Sequence, residues 1–184
     1  MEFVKKDSKI YLLSGKARSG KNEVANMIIE YYHNKRCICL SYSYYLKDYV
    51  KRITGWDGSE ATKPRDFLQQ VGIELIKEQI DSQLLIRRLV EDIKVFSYFY
   101  DIIVITDARL VNEIEVPKAT FENVTTIRVV RNKDNELTVE QKQHLTEIDL
   151  DNYMMFDYVL DNNNNNYDLL RQKVYQILDE VNYE

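Results

Sequence analysis

Apolar and polar positions along this chain follow two rhythms. Short runs of mostly apolar residues occur at Ile10-Tyr11-Leu12-Leu13, Cys37-Ile38-Cys39-Leu40, Ile102-Ile103-Val104-Ile105-Thr106, Thr126-Ile127-Arg128-Val129-Val130 and Tyr158-Val159-Leu160. Bounded by polar residues and this short, they predict strands. Between them the apolar positions recur three or four apart: Val24, Met27, Ile28 and Tyr31; Leu68, Val71, Leu75 and Ile76; Leu85, Leu89, Ile93 and Phe96; Leu170, Val174, Ile177, Leu178 and Val181. That spacing places them on the buried stripes of amphipathic helices. A further helix comes after the second strand, from about Ser41 to Ile53, and Gly55-Trp56-Asp57-Gly58 breaks it. Thr62 and Pro64 signal the next start, and Asp81-Ser82 caps the one after. A helix or lid-like segment is expected over 138–149, and the asparagine run from Asn162 to Asn166 reads as a loop.

Strands alternating with helices predict a right-handed parallel sheet in a three-layer α/β/α arrangement. The run from Ile102 is apolar throughout, as for a central strand covered on both faces. No linker or internal repeat interrupts the pattern. The expectation is one domain over residues 1–184, with a lid-like part around 131–152.

The turn between the first strand and the first helix carries chemistry. Gly15-Lys16-Ala17-Arg18-Ser19-Gly20-Lys21 reads G-x-x-x-x-G-K, the phosphate loop (P-loop) of nucleoside-triphosphate enzymes. A strand entering a helix N-terminus through glycines aims several backbone N–H groups at one point, and the helix dipole adds to them. Gly15 and Gly20 permit backbone geometry that a Cβ hinders, and Lys21 reaches β- and γ-phosphates. The motif usually continues with Ser or Thr, whose hydroxyl binds Mg²⁺. Here it continues with Asn22, whose amide oxygen is also a Mg²⁺ donor, and then Glu23. Residues Gly15 to Asn22 are the candidate ATP site.

In an open parallel sheet, ligands bind beyond the carboxyl ends of strands. Asp107-Ala108-Arg109 leaves the central strand at such an end. Asp107 is placed there to hold Mg²⁺, or else to cap the next helix in sequence. Arg109 offers a planar fork for phosphate oxygens. A kinase needs cations for donor and acceptor alike, and Arg65, Arg87, Arg88, Arg128 and Arg131 are further candidates. Arg65 and Arg109 are preferred, because each opens or ends an element near the expected cleft. The tyrosines of Tyr42–Tyr49 suit stacking on a base, or the commoner packing between helices.

Composition narrows the setting. The 184 residues suffice for one domain with a full core. Hydrophobic and charged fractions of 45% and 30% are those of a water-soluble chain. A net charge of −5 argues against a general binder of nucleic acid or membrane surface. No secretory leader and no apolar run of bilayer length is read, so the expected location is the cytoplasm. Cys37 and Cys39 share one strand face, but no further ligand completes a zinc set, so two buried thiols are expected. The Asn123-Val124-Thr125 glycosylation sequon has no meaning in a cytosolic chain.

Several segments together resemble the deoxynucleoside monophosphate kinases of bacteriophages, a branch of the P-loop nucleoside-monophosphate kinases. The loop Leu13 to Lys21 looks like that family's, which commonly continues with Asp. Leu46-Lys47 matches the end of its Pro-Leu-Lys segment, although Tyr44-Tyr45 replaces the usual Asp-Pro. The stretch from Arg65 to Glu74 looks like its R-x-x-L-Q-x-x-G-x-E helix, and Asp107 to Glu113 is similar to its D-x-R-x-x-N-E segment. His144-Leu145-Thr146-Glu147 resembles an H-x-S-E segment, and Phe156 to Asn162 resembles its closing strand and loop. The set runs in order over most of the chain and is more specific than the loop alone. The resemblance implies transfer of the ATP γ-phosphoryl group to a deoxynucleoside 5′-monophosphate, giving ADP and the diphosphate. It implies ATP and Mg²⁺ as cofactors, with Lys21, Asp107 and Arg109 at the chemistry. Lys47, Arg65, Gln69, Glu74 and Arg109 then bind the acceptor, and Asn22 and Asp107 the metal. Partners are then nucleotide substrates only, and a homodimer is compatible with the chain.

Other readings stand beside it. One is another small-molecule kinase of this superfold, acting on dephospho-coenzyme A or phosphomevalonate. Another is a nucleotide-binding protein without catalysis. A GTPase-like switch fits less well, because Asn132-Lys133-Asp134-Asn135 lacks the final Asp of N-K-x-D and Asp107-Ala108-Arg109-Leu110 lacks the glycine of D-x-x-G.

Overall fold

The computed structural model describes residues 2–132, 145–164 and 166–183. Five strands form one sheet: β1 (Lys9–Ser14), β2 (Cys37–Leu40), β3 (Ile102–Ala108), β4 (Val124–Val130) and β5 (Tyr158–Asp161). Their order is β2-β3-β1-β4-β5, with every pairing parallel. β1 therefore lies at the centre, with Ile10 opposite Ile103 on one side and Val124 on the other.

The helices are α1 (Lys21–Tyr31), α2 (Ser43–Thr54), α3 (Arg65–Gln70), α4 (Leu84–Phe96), α5 (Val111–Thr120), α6 (Leu145–Ile148) and α7 (Tyr167–Tyr183). Side chains alternate across the sheet, so each β1 residue type finds its own layer. Tyr11 and Leu13 pack with Met27 and Ile28 of α1 and Val174 and Leu178 of α7. Ile10 and Leu12 face Leu89 and Ile93 of α4 and Ile114 of α5. Both faces are covered, which is why β1 and β3 read as continuous apolar runs. The expected three-layer α/β/α arrangement is thus present.

A smaller cluster of Val50, Leu68, Val71 and Ile76 ties α2 and α3 to the stretch Val71–Ile80. That stretch continues α3 and is π-helical. Its wide turn closes with the Asp81 N–H donating to the Ile76 carbonyl at 2.7 Å. The wider turn corrects one expectation. Leu75, placed on the buried stripe by α-helical spacing, is 41% exposed, whereas Ile76 is buried. In a π-helix position i+5 replaces i+4 as the neighbour of Val71.

The cysteines are a second correction. β2 is an edge strand, and Cys39 is exposed while Cys37 is only half-buried. Of the lid-like segment expected over 131–152, residues 133–144 lie outside the described residues. The described remainder includes α6, which leads through a turn to Asp151. Among the described residues no helix is long and apolar enough to cross a membrane.

Candidate functional site

β1 ends at the sheet's centre and feeds Gly15–Gly20 into α1. Gly15 and Gly20 adopt φ of 149° and 102°, and Arg18 adopts 61°. A Cβ on Gly15 would collide with the Val129 carbonyl oxygen, and one on Gly20 with the Asn162 amide. Asn162 Nδ2 donates to the Ser19 carbonyl at 2.9 Å, so β4 and the loop after β5 brace the turn from outside. Gly20 caps α1 without any side-chain hydrogen bond, which leaves the first-turn N–H groups for an anion. Ser19 Oγ is buried and has no hydrogen-bond partner among the described residues. Lys21 folds back over the loop, its Nζ donating to the carbonyls of Gly15 at 2.7 Å and Lys16 at 2.8 Å. Burial, helped by the nearby Arg109 cation, brings the Lys21 ammonium down to about 8.

The opposite wall begins where β3 ends. The Asp107 carboxylate accepts the Tyr42 N–H at 2.8 Å and the Ser43 N–H at 3.1 Å. It therefore caps α2 across space, and not α5, the next helix in sequence. The start of α5 is held by Glu113, whose carboxylate accepts the N–H groups of Arg109 at 2.7 Å and Leu110 at 3.1 Å. Glu113 is buried, and burial raises its carboxyl to about 8 against those two N–H bonds. The Arg109 guanidinium pairs with Glu147 of α6. The other Glu147 oxygen accepts the Ala17 N–H of the phosphate loop at 3.1 Å. Lys47 is half-buried facing Asp107, and burial pulls its ammonium down. Arg65 pairs with Glu60, which also holds Lys63 at 3.0 Å.

These walls enclose a cleft of about 1020 Å³, enough for more than one small ligand. Ala17 to Asn22 line it, as do Lys47, Arg65, Gln69, Asp107 and Arg109. Gly15 lies beneath the loop surface, and Lys16 turns to Asp151 at 2.9 Å. Glu74 is not brought in: Gln69, Gly72, Ile73, Ile76 and Lys77 make the cleft-facing stripe, and Glu74 falls off it and is exposed. Of the other arginines, Arg131 lines the cleft. Arg87 pairs with Asp81, Arg88 stacks on Tyr45 at 4.8 Å, and Arg128 lies over Phe156. Two of the tyrosines are tied to neighbouring elements: Tyr42 is buried with its hydroxyl on the Glu113 carbonyl, and Tyr45 donates to Asp92.

Sequence reasoning missed Lys63, Asn162 and the seat of Glu147. Lys63 had a signal, as a cation beside Pro64 and Arg65. The other two depend on residues 143 and 130 positions away.

For Mg²⁺, the donor chemistry fits. Asn22 and Asp107 line the same cleft, and each Asp107 oxygen accepts one N–H, with lone-pair capacity left over. Among the described residues no group of three or more His, Cys, Asp or Glu could cage a metal. Such a pair suits an ion carried in by phosphates, which needs only one or two protein ligands.

No protein-family model and no curated protein sequence matches the chain. Solved structures do. A sugar kinase from Janibacter sp. HTCC2649 superposes with a TM-score of 0.60 at 12% identity, over 94% of this chain and 95% of that one. Shikimate kinase from Bacteroides thetaiotaomicron gives 0.54 at 11% identity, over 93% and 98%. Shikimate kinase from Aquifex aeolicus gives 0.51 at 12%, over 93% and 96%. At these identities the likeness establishes the fold, which this chain shares with those kinases over nearly its whole length.

Proposed function

We propose that the chain is an ATP-dependent kinase that phosphorylates a deoxynucleoside 5′-monophosphate. The observation that carries this reading is one cleft with N–H or cationic groups on each wall. The Gly15–Lys21 loop and the uncapped start of α1 form the first. Lys47, Lys63, Arg65 and Arg109 gather on the second. Two polyanionic ligands meeting between them would suit phosphoryl transfer between nucleotides.

The loop N–H groups and Lys21 hold the donor phosphates and neutralise charge as the group moves. Asp107 and Asn22 would hold a Mg²⁺ ion, which would supply further positive charge there. Arg109 and Arg65 take the acceptor phosphate by bidentate hydrogen bonds. The nucleophile is already a phosphate oxygen, so no strong base is needed, and positioning carries the catalysis. The supporting sequence resemblance is what selects a deoxynucleotide among acceptors.

A second reading has its own support. The similar folds are named as sugar and shikimate kinases, whose acceptors present hydroxyl groups. On that reading Asp107 would serve as base toward the hydroxyl. A coupled ADP-release assay over ribo- and deoxynucleoside monophosphates, shikimate and simple sugars decides. Turnover confined to monophosphates is expected, and turnover of a hydroxyl acceptor alone would replace the first reading by the second.

A further inference from the structure

Glu147 occupies an unusual place for a carboxylate. Its side chain is 4% exposed. One oxygen takes the Ala17 N–H of the phosphate loop, and the other takes the Arg109 guanidinium. A buried carboxylate is costly unless such donors satisfy it, so Glu147 is bound by the same kind of groups that bind phosphate. Its neighbours fasten it there. Asp149 accepts the Val111 N–H at 2.7 Å, and Asp151 pairs with Lys16 at 2.9 Å and Arg128 at 3.4 Å. The segment Leu145–Asp151 thus lies across the loop, with its acids taking up donors from both walls of the cleft.

We propose that Glu147 is an internal plug: its carboxylate sits between Ala17 and Arg109 where the phosphoryl group in transit belongs, and must leave before the donor's terminal phosphate can bind. This inference rests on the Gly15–Lys21 loop being the donor site. A metal role is a poorer account, because the Arg109 cation already pairs with this carboxylate and would stand beside any ion it held. Displacement would also release Arg109 for the acceptor, so loading the donor would prepare the acceptor site. A tethered competitor of this sort lowers apparent affinity by the fraction of molecules it leaves open. It also keeps phosphates that bind only weakly out of the loop.

Calorimetry with tripolyphosphate and with ATP, on the full chain and without acceptor, tests the plug. Wild type is expected to bind both. Glu147→Gln is expected to bind them about tenfold more tightly, the effect of removing a plug seated in roughly nine molecules of ten. Glu147→Asp keeps the charge but draws the carboxylate back from Ala17, and a similar gain is expected. A gain in the Gln variant alone would mean simple charge repulsion and would overturn the plug. No gain in either would overturn it too, while leaving the loop as a phosphate site. No binding by wild type or variants would overturn both the plug and the kinase reading. Hydrogen exchange on the wild type gives a result independent of variant folding. Tripolyphosphate is expected to speed exchange over 145–151, and slowed or unchanged exchange there would overturn the proposal.

Discussion

Asp107 binds the backbone N–H of Tyr42 at 2.8 Å, joining the end of β3 to the start of α2 across 65 positions of sequence. One carboxylate at the cleft therefore holds the start of α2 in place, and on the proposed reading it is also a ligand of the metal. Asp107→Asn keeps one acceptor oxygen but presents an NH₂ group to a second backbone donor. The expected cost is about 1–2 kcal/mol, the worth of a helix cap, which lowers Tm by roughly 3–8 °C in a chain of this size. The Mg²⁺ dependence of turnover should weaken in the same variant. An unshifted Tm in a thermal melt would remove the cap, and an unchanged metal titration would remove the ligand.

On the proposed kinase reading Lys21 is the donor-site cation, and Lys21→Ala is expected to lower kcat by roughly 10²–10³, the scale of one strong transition-state contact. Its ammonium sits at about 8 in this setting. An arriving phosphate stabilises the charged form and raises that value. Part of the population lacks the proton at pH 8, so ATP binding should take up a fraction of a proton there and almost none at pH 6. Calorimetry in buffers of different ionisation enthalpy measures the uptake. A buffer-independent heat at pH 8 would show that Lys21 does not meet the phosphates.

Glu113 and Lys21 together set the pH dependence of stability near neutrality. Glu113 is raised from 4.5 to about 8, so the folded state holds the extra proton between those values. Stability from this group falls as pH rises through that window, by up to about 1.4 kcal/mol per unit. Lys21 is lowered from 10.5 to about 8, so there the unfolded state holds the extra proton. Stability from Lys21 rises between those values. The pair gives a minimum near pH 8 in denaturant-derived stability. Glu113→Gln should flatten the acidic limb, and a limb unchanged in that variant would assign it elsewhere.

The proposed acceptor cations are separable from the proposed donor site by substitutions that keep charge and remove the fork. Arg65→Lys and Arg109→Lys are each expected to reduce kcat/KM for the monophosphate roughly 10–100-fold, the worth of a charged hydrogen bond. ATP affinity should change much less. Equal weakening of ATP and monophosphate would place these arginines with the donor or the fold.

Local spacing made part of this molecule legible in its sequence. The phosphate loop is contiguous, its strand flank is a continuous apolar run and its helix flank repeats at a period near four, so Gly15 to Asn22 could be found by inspection. The central strands were legible because burial on both faces leaves Ile102 to Ile105 no polar position. Leu75 and Glu74 were misplaced because nothing in residue type announces a π-helical turn. Cys39 was misplaced because strand order is not written in any one strand: β2 comes after β1 in sequence but pairs only with β3, at the edge. Asp107 was found, but its partner was not, since a cap offered to α2 rather than α5 is a choice made by the assembled sheet. The seat of Glu147 was beyond reach for the same reason.

The bracing of the phosphate loop sets an order on its own construction. Gly15 is made early, yet it packs on Val129, and Ser19 is held by Asn162. During synthesis, a nascent chain that has exposed β1, the loop and α1 has none of these supports. β1 must wait for β3 and β4 before it has neighbours on either side. Loop closures of this span are slow compared with local helix formation. The proposed nucleotide site is therefore encoded first and completed last. A chain interrupted between residues 22 and 162 carries the whole motif but lacks the Asn162 brace that helps shape it, so the motif and its full support arrive at different times in the life of the molecule.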